Sequence, residues 1–175
     1  MDIKTFFSNI VNVFKNEVDT EVKHYNDWKQ KQAQAKAPQQ PRPVFVHSER
    51  TDEECVAYFR EILATEFSQY EVRENVPVQS LVGDAADEFK LYDGRPLQAY
   101  KAEWGQPYTF VLFQNGLVYG VVMLGRGHTH DNKVTYLISR MYAKKMNVPY
   151  INFYNHMPNE RGYVVNRIRE MMHLV

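Results

Sequence analysis

The chain holds one cysteine, Cys55, among 175 residues, and it has no excess of either charge. A single cysteine permits no intramolecular disulfide, which fits a reducing compartment. The amino-terminal stretch MDIKTFFSNIVNVFKNEVD alternates charged and apolar residues. It offers neither the apolar centre of a secretion signal nor a spanning segment, so a soluble cytoplasmic protein with no membrane partner is expected. Lys+Arg and Asp+Glu both number 21, which removes the global positive field of a dedicated nucleic-acid binder and leaves room only for a local patch. Two phosphate-binding signatures are missing as well. There is no Gly-x-x-x-x-Gly-Lys-Ser/Thr loop, and Gly125-Arg126-Gly127 lacks the third glycine of a dinucleotide fingerprint.

What is present is ordinary globular material, 44% hydrophobic, with an aromatic share of 14% that suits a dense core and an aromatic-lined groove or interface. The length fits one domain plus an appendage. Residues 1–30 read as an amphipathic helix, with Ile3, Phe7, Ile10, Phe14, Val18, Val22, Tyr25 and Trp28 recurring at spacings of four and three. Its polar face mixes both signs of charge, which favours packing on the parent domain or on a second copy over binding to a membrane surface. The Gln-, Ala-, Lys- and Pro-rich stretch that follows cannot anchor a core. Residues 1–43 are therefore expected to be a helix and linker that carry self-association, and residues 44–175 an α/β domain.

Within that domain, Thr51 opens a helix as its N-cap, with Asp52, Glu53 and Glu54 in the first turn and Val56, Phe59, Ile62, Leu63 and Phe67 on one face. Tyr70 to Val78 alternates as a strand, with Pro77 placing its end or an edge there. Residues 79–105 are less regular. Tyr108–Phe113 and Leu117–Leu124 form a hairpin about Asn115-Gly116, a strong turn signal. A helix over residues 133–147 follows, then a short buried strand of the parallel-sheet kind, VPYINFY, and a closing helix over residues 162–174.

This order resembles the restriction-endonuclease-like superfamily, the PD-(D/E)xK nucleases. The likeness rests on the Asn-Gly hairpin, the following helix with Arg and Lys, the phrase Asn147-Val148-Pro149-Tyr150-Ile151-Asn152-Phe153 and the helix with YVVNRIRE. The resemblance implies an α-β-β-β-α-β-α core, a mixed central sheet flanked by helices, with the N-terminal helix as an appendage. In that family the first hairpin strand carries an acid and the second a Glu-x-Lys triplet, which hold a hard divalent cation and stabilise charge on phosphate. Aligned on the turn, those positions fall near Thr109 and near Met123-Leu124-Gly125, none of which supplies that chemistry. The expectation is a degenerate nuclease fold.

Three constellations could carry chemistry elsewhere. Asp84, Asp87 and Glu88, with Asp93, Lys101 and Glu103, could rebuild a Mg²⁺ or Mn²⁺ site, with Glu54 or Glu61 as an outer ligand; the plain alternative is a solvated loop, with Asp84 capping a helical turn. His128, His130 and Asp131 offer Zn²⁺ or Mn²⁺ ligands, with His156 or His47 as the third, against a polar loop whose Asp131 or Asn132 caps the next helix. Arg126, Lys133, Arg140 and Lys144 form a basic set, the last three at helical spacing with Tyr136 and Tyr154 nearby, against a solvated helix face. Cys55 reads as a core residue and not as a nucleophile. The leading expectation is a non-catalytic binding or assembly module, with nucleic acid as a candidate partner. The alternatives are a nuclease with a relocated acidic site, and metal or small-molecule binding through His128 and His130.

Overall fold

The computed structural model describes residues 20–32, 48–91, 93–126 and 133–174. Contacts divide the chain into two units, Met1–His47 and Ser48–Val175, where the sequence places a boundary near residue 43. In the first unit residues 20–32 are helical. Tyr25 and Trp28 pair there with ring centroids 6.1 Å apart, and the Lys29 ammonium lies 5.5 and 5.6 Å from the two rings. The earlier members of the expected stripe, from Ile3 to Val18, lie outside the described residues.

The second unit begins with helix α1, Asp52–Glu66. Its start is fixed by a reciprocal cap: the Thr51 hydroxyl accepts from Glu54 N at 3.2 Å, and the Glu54 carboxylate accepts from Thr51 N at 2.8 Å. Strand β1, Glu71–Val76, follows as expected and ends before Pro77. Strands β4, Tyr108–Gln114, and β5, Leu117–Gly125, form the hairpin. Asn115 and Gly116 take φ of 52° and 76°, the left-handed pair that a tight two-residue turn requires. Helix α3, Val134–Lys145, strand β6, Tyr150–Tyr154, and helix α4, Arg161–Met171, complete the order. The α3 cap is Lys133, in extended backbone and with no side-chain hydrogen bond; Asp131 and Asn132 lie outside the described residues.

The main sheet runs β1-β4-β5-β6, with β1, β4 and β5 antiparallel and β6 parallel to β5. A bulge between Leu112 and Phe113 shifts the hairpin register. Alternation along the strands gives two faces. Val111, Phe113, Val121 and Met123 pack with Ile138, Tyr142 and Ala143 of α3. On the other face Phe153 meets Phe59 of α1 and Tyr163 of α4, with centroids 5.0 and 6.2 Å apart. Phe110, Leu112, Val122, Leu124 and Ile151 share that face, and all are buried. Ion pairs from Arg161 to Glu61 and Glu66 tie α4 to α1. Cys55 is buried in α1, and burial pushes its thiol up to about 11, the behaviour of a core residue.

The stretch between β1 and β4 corrects the expectation of irregular chain. It forms a short helix α2, Gln79–Val82, and a separate antiparallel ribbon of β2, Ala86–Phe89, and β3, Gln98–Lys101. Gly83 ends α2 at φ 77°, so Asp84 follows a helix rather than opening one. The ribbon is pinned to α3 by the Tyr142 hydroxyl, which donates toward Tyr100 O at 2.6 Å and Ala85 O at 3.0 Å. Phe89 stacks on Tyr100 at 4.9 Å and meets Tyr142 edge-on at 5.7 Å. After a turn of 3-10 helix, Ala102–Trp104, Gly105 is packed so closely that a Cβ there would lie 2.6 Å from Val78 Cγ2. Among the described residues no helix is long and apolar enough to cross a membrane.

Candidate functional site

The only parallel pair in the described sheet ends with Gly125 beside Tyr154, and Asn155 N continues the ladder by donating to Gly125 O at 2.9 Å. Crevices beyond the carboxyl ends of such strands are where open α/β sheets bind ligands. Arg126 leaves β5 at this point and meets Asp52, the first residue of α1, with Nε 2.9 and 3.0 Å from the two carboxylate oxygens. Asn155 Nδ2 donates to Asp52 Oδ1 at 2.7 Å. The hydrogen bond from Arg126, then that from Asn155, holds the Asp52 carboxyl below the ordinary carboxylate range, and partial burial opposes them.

The loop after β6 is clamped from the segment before α1. Ser48 N donates to His156 O and Arg50 Nη1 to Pro158 O, both at 3.0 Å, while the Arg50 guanidinium stacks 4.0 Å over Tyr58. Asn159, with φ of 45°, donates from Nδ2 to Tyr154 O at 2.9 Å. The donors thus fix which way both amides point. Asn155 Oδ1 and Asn159 Oδ1 are left buried without a hydrogen-bond donor, in residues only 8% and 1% exposed. Buried acceptors of this kind are rare and call for a water or a ligand donor.

On the α3 side, β6 presents by alternation Tyr150 at its start, Asn152, and Tyr154 at the strand end beside Gly125. Asn152 Nδ2 lies 3.5 Å from the Tyr154 hydroxyl, and Tyr154 lies against His156 at 5.7 Å. Tyr108 meets Tyr150 edge-on at 6.4 Å. From α3 comes Arg140, half-buried and close enough to Tyr150 and Tyr154 to feel both hydroxyls. Burial pulls its guanidinium below the ordinary arginine value, against the pull of those two tyrosines. Burial likewise raises Tyr150 well above the ordinary phenol value, with Arg140 opposing, and Tyr108 and Tyr136 reinforcing it. Tyr136 also senses the Asp52 charge, which joins this cluster to the Asp52–Arg126 pair.

The residues expected from sequence are dispersed. Thr109 is tied into the hairpin, its Oγ1 accepting from Leu124 N at 3.0 Å and lying 3.7 Å from Met123 Sδ. Met123 and Gly125 are buried. Asp84 is exposed after α2, and Glu88 is exposed on β2. Asp87 pairs with Lys145 at 2.9 Å, Lys101 with Glu103 at 3.5 Å, and Glu61 with Arg161 at 2.7 Å. Glu54 is engaged in the α1 cap. Among the described residues no three His, Cys, Asp or Glu side chains are grouped to hold a metal ion. Of the basic set, Lys133 and Lys144 are exposed, Arg140 turns toward β6, and Arg126 is paired with Asp52. His128, His130 and Asp131 lie outside the described residues.

Sequence reasoning passed over Asp52, Asn155, Asn159 and Tyr150. Asp52 reads as one of three acids favouring a helix start, and its partners are 74 and 103 residues away. The available signal was positional: a charged or amide residue directly after each of two neighbouring buried strands. The fold and site define a mixed α/β protein whose polar centre lies at its parallel strand ends. No protein-family model, curated protein or solved structure matches the chain.

Proposed function

We propose that this chain is a non-catalytic binding and assembly module on a restriction-endonuclease-like fold. With α2 and the β2–β3 ribbon taken as an insert, the order of the main-sheet elements supports the fold reading: a helix, three antiparallel strands, then a helix leading into a strand parallel to the third, and a final helix. The observation that carries the functional reading is the state of the hairpin. Thr109, Met123 and Gly125 stand where the resemblance calls for an acid, a second acid and a lysine, and each is engaged in the sheet's own hydrogen bonding or packing. A nuclease site rebuilt from the ribbon would need Asp87 to give up Lys145 and Glu54 to give up the cap of α1.

In this reading the N-terminal apolar stripe carries self-association, and exposed Lys133 and Lys144 offer contact to a phosphate backbone. Purified protein incubated with Mg²⁺ or Mn²⁺ is expected to leave single- and double-stranded DNA and RNA intact. Metal-dependent cleavage that disappears in Asp84→Ala or Asp87→Ala protein would overturn the reading.

A further inference from the structure

We propose that Asn115 is a conformationally gated site of covalent modification. Its side-chain amide is lost to attack by the Gly116 backbone nitrogen when the hairpin turn opens, and the folded turn holds that reaction off. Water is the only co-reactant.

The residue pair sets the chemistry. Asn115-Gly116 is the only Asn-Gly step in the sequence. The Gly116 nitrogen gives its proton to a solvent base and bonds to Asn115 Cγ. The bond from Cγ to the side-chain nitrogen breaks, ammonia leaves, and a cyclic imide remains. Water then opens either carbonyl of the imide, giving aspartate or, by attack at the main-chain carbonyl, isoaspartate. A side chain on the following residue hinders the ring closure, and Gly116 has none. Both residues are exposed, and no atom lies within 4 Å of where a Gly116 Cβ would stand, so base and water reach the pair. Asn75, Asn147 and Asn159 share the left-handed backbone, but the residues after them are Val76, Val148 and Glu160, two of them β-branched.

The conformation supplies the gate. Asn115 has φ of 52°, and in the left-handed region the next residue's nitrogen lies roughly opposite the side chain across the Cα–C bond. Gly116 N is thereby kept away from Cγ, and the pairing of Gln114 with Leu117 across the turn prevents the rotation that would join them. Reaction waits on fraying of the turn, a local opening that costs less than global unfolding. The two products then behave differently. Aspartate can rebuild the hairpin, since Asp-Gly suits the same turn. Isoaspartate routes the chain through the side-chain methylene and adds a backbone atom to a two-residue turn between the two central strands of the sheet. That turn sets Phe110, Val111 and Leu112 against Val122, Val121 and Gly120, all of them buried, and a slip in register sends core side chains to the wrong face. The isoaspartyl chain therefore cannot close the gate again.

The experiment holds the full chain in mildly alkaline buffer, folded and, in parallel, unfolded in urea. Digests are mapped over time by mass spectrometry, with aspartyl and isoaspartyl peptides separated by chromatography. The unfolded chain is expected to convert Asn115 ahead of Asn75, Asn147 and Asn159. The folded chain is expected to convert it about tenfold more slowly or less, the protection that an ordered turn provides. The isoaspartyl fraction, isolated and returned to folding buffer, is expected to melt below the parent. Asn115→Gly keeps a turn-forming pair and has no amide to lose, so its melting temperature should hold through the same incubation. Asn115 that outlasts the other three in urea overturns the proposal, as do equal rates in the folded and unfolded chains. An isoaspartyl fraction that melts with the parent, or an Asn115→Gly protein that decays as the parent does, overturns it too.

Discussion

The two faces of the main sheet are both apolar over most of their length and differ at one end. Toward α1 and α4, the strands contribute Phe110, Leu112, Val122, Leu124, Ile151 and Phe153, and aromatic edges from Phe59 and Tyr163 close over Phe153. Toward α3, the same strands begin just as apolar with Val111 and Val121 but finish in Thr109, Asn152 and Tyr154, with Arg140 above them. Adjacent residues on β6 therefore live in different chemistry. The first face holds the fold together through area removed from water. The second gives up part of that gain at one end, where polar side chains stand in place of apolar ones.

The contrast can be broken most directly on β6 itself. Phe153→Ala is expected to cost about 3–5 kcal/mol in denaturant unfolding, the range for a fully buried aromatic, whereas its neighbour Asn152→Ala should stay within about 0.5 kcal/mol. Similar losses from both would mean that the α3-side cluster is a structural core like the other. A smaller effect is expected at the ribbon. Tyr142→Phe removes the hydroxyl that serves Tyr100 O and Ala85 O, and should cost about 1 kcal/mol while speeding proteolysis between Ala86 and Lys101. Unchanged protease sensitivity would show that the Lys145–Asp87 pair and the Phe89–Tyr100 stack suffice to hold the ribbon.

The smallest effect belongs to the Asp52–Arg126 pair. The folded carboxyl titrates below its ordinary value of 3.8, so the pair contributes fully above that pH and is lost as pH falls through the lowered folded value. Both partners are half or more exposed, which limits the contribution to roughly 0.5 kcal/mol. In thermal melts between pH 6 and pH 3, Asp52→Asn should show a shallower acid loss than the parent. Parallel curves would remove Asp52 from the acid response.

Local signals predicted the elements that close on themselves. Thr51 marks the start of α1, and Asn115-Gly116 fixes the hairpin, because the responsible atoms sit within a few residues of each other. The ribbon escaped notice since β2 and β3 have four residues each and are mostly exposed, which leaves no hydrophobic alternation to read. The site escaped for a different reason. Asp52, Arg126 and Asn155 meet only because a helix start and two strand ends converge in space, and no spacing along the chain encodes that. Arg140 illustrates the same limit: helical spacing groups it with Lys133 and Lys144, yet the neighbouring strand draws it inward.

The ribbon also has a consequence for redesign. Val76 and Tyr108 are cross-strand partners, so everything between them leaves the sheet and returns to the rung it left. Loop closure changes by only about 0.6 kcal/mol for each doubling of loop length, so exchanging this excursion for a different insert carries little entropic cost. Its polar attachments are to α3, through Thr135, Ser139, Tyr142 and Lys145, and its Val78, Phe89 and Ala102 are buried in the core beneath that helix. The passage from Val76 to Tyr108 is thus an insertion that the core has absorbed, and any sequence put in its place must refill the positions of Val78, Phe89 and Ala102.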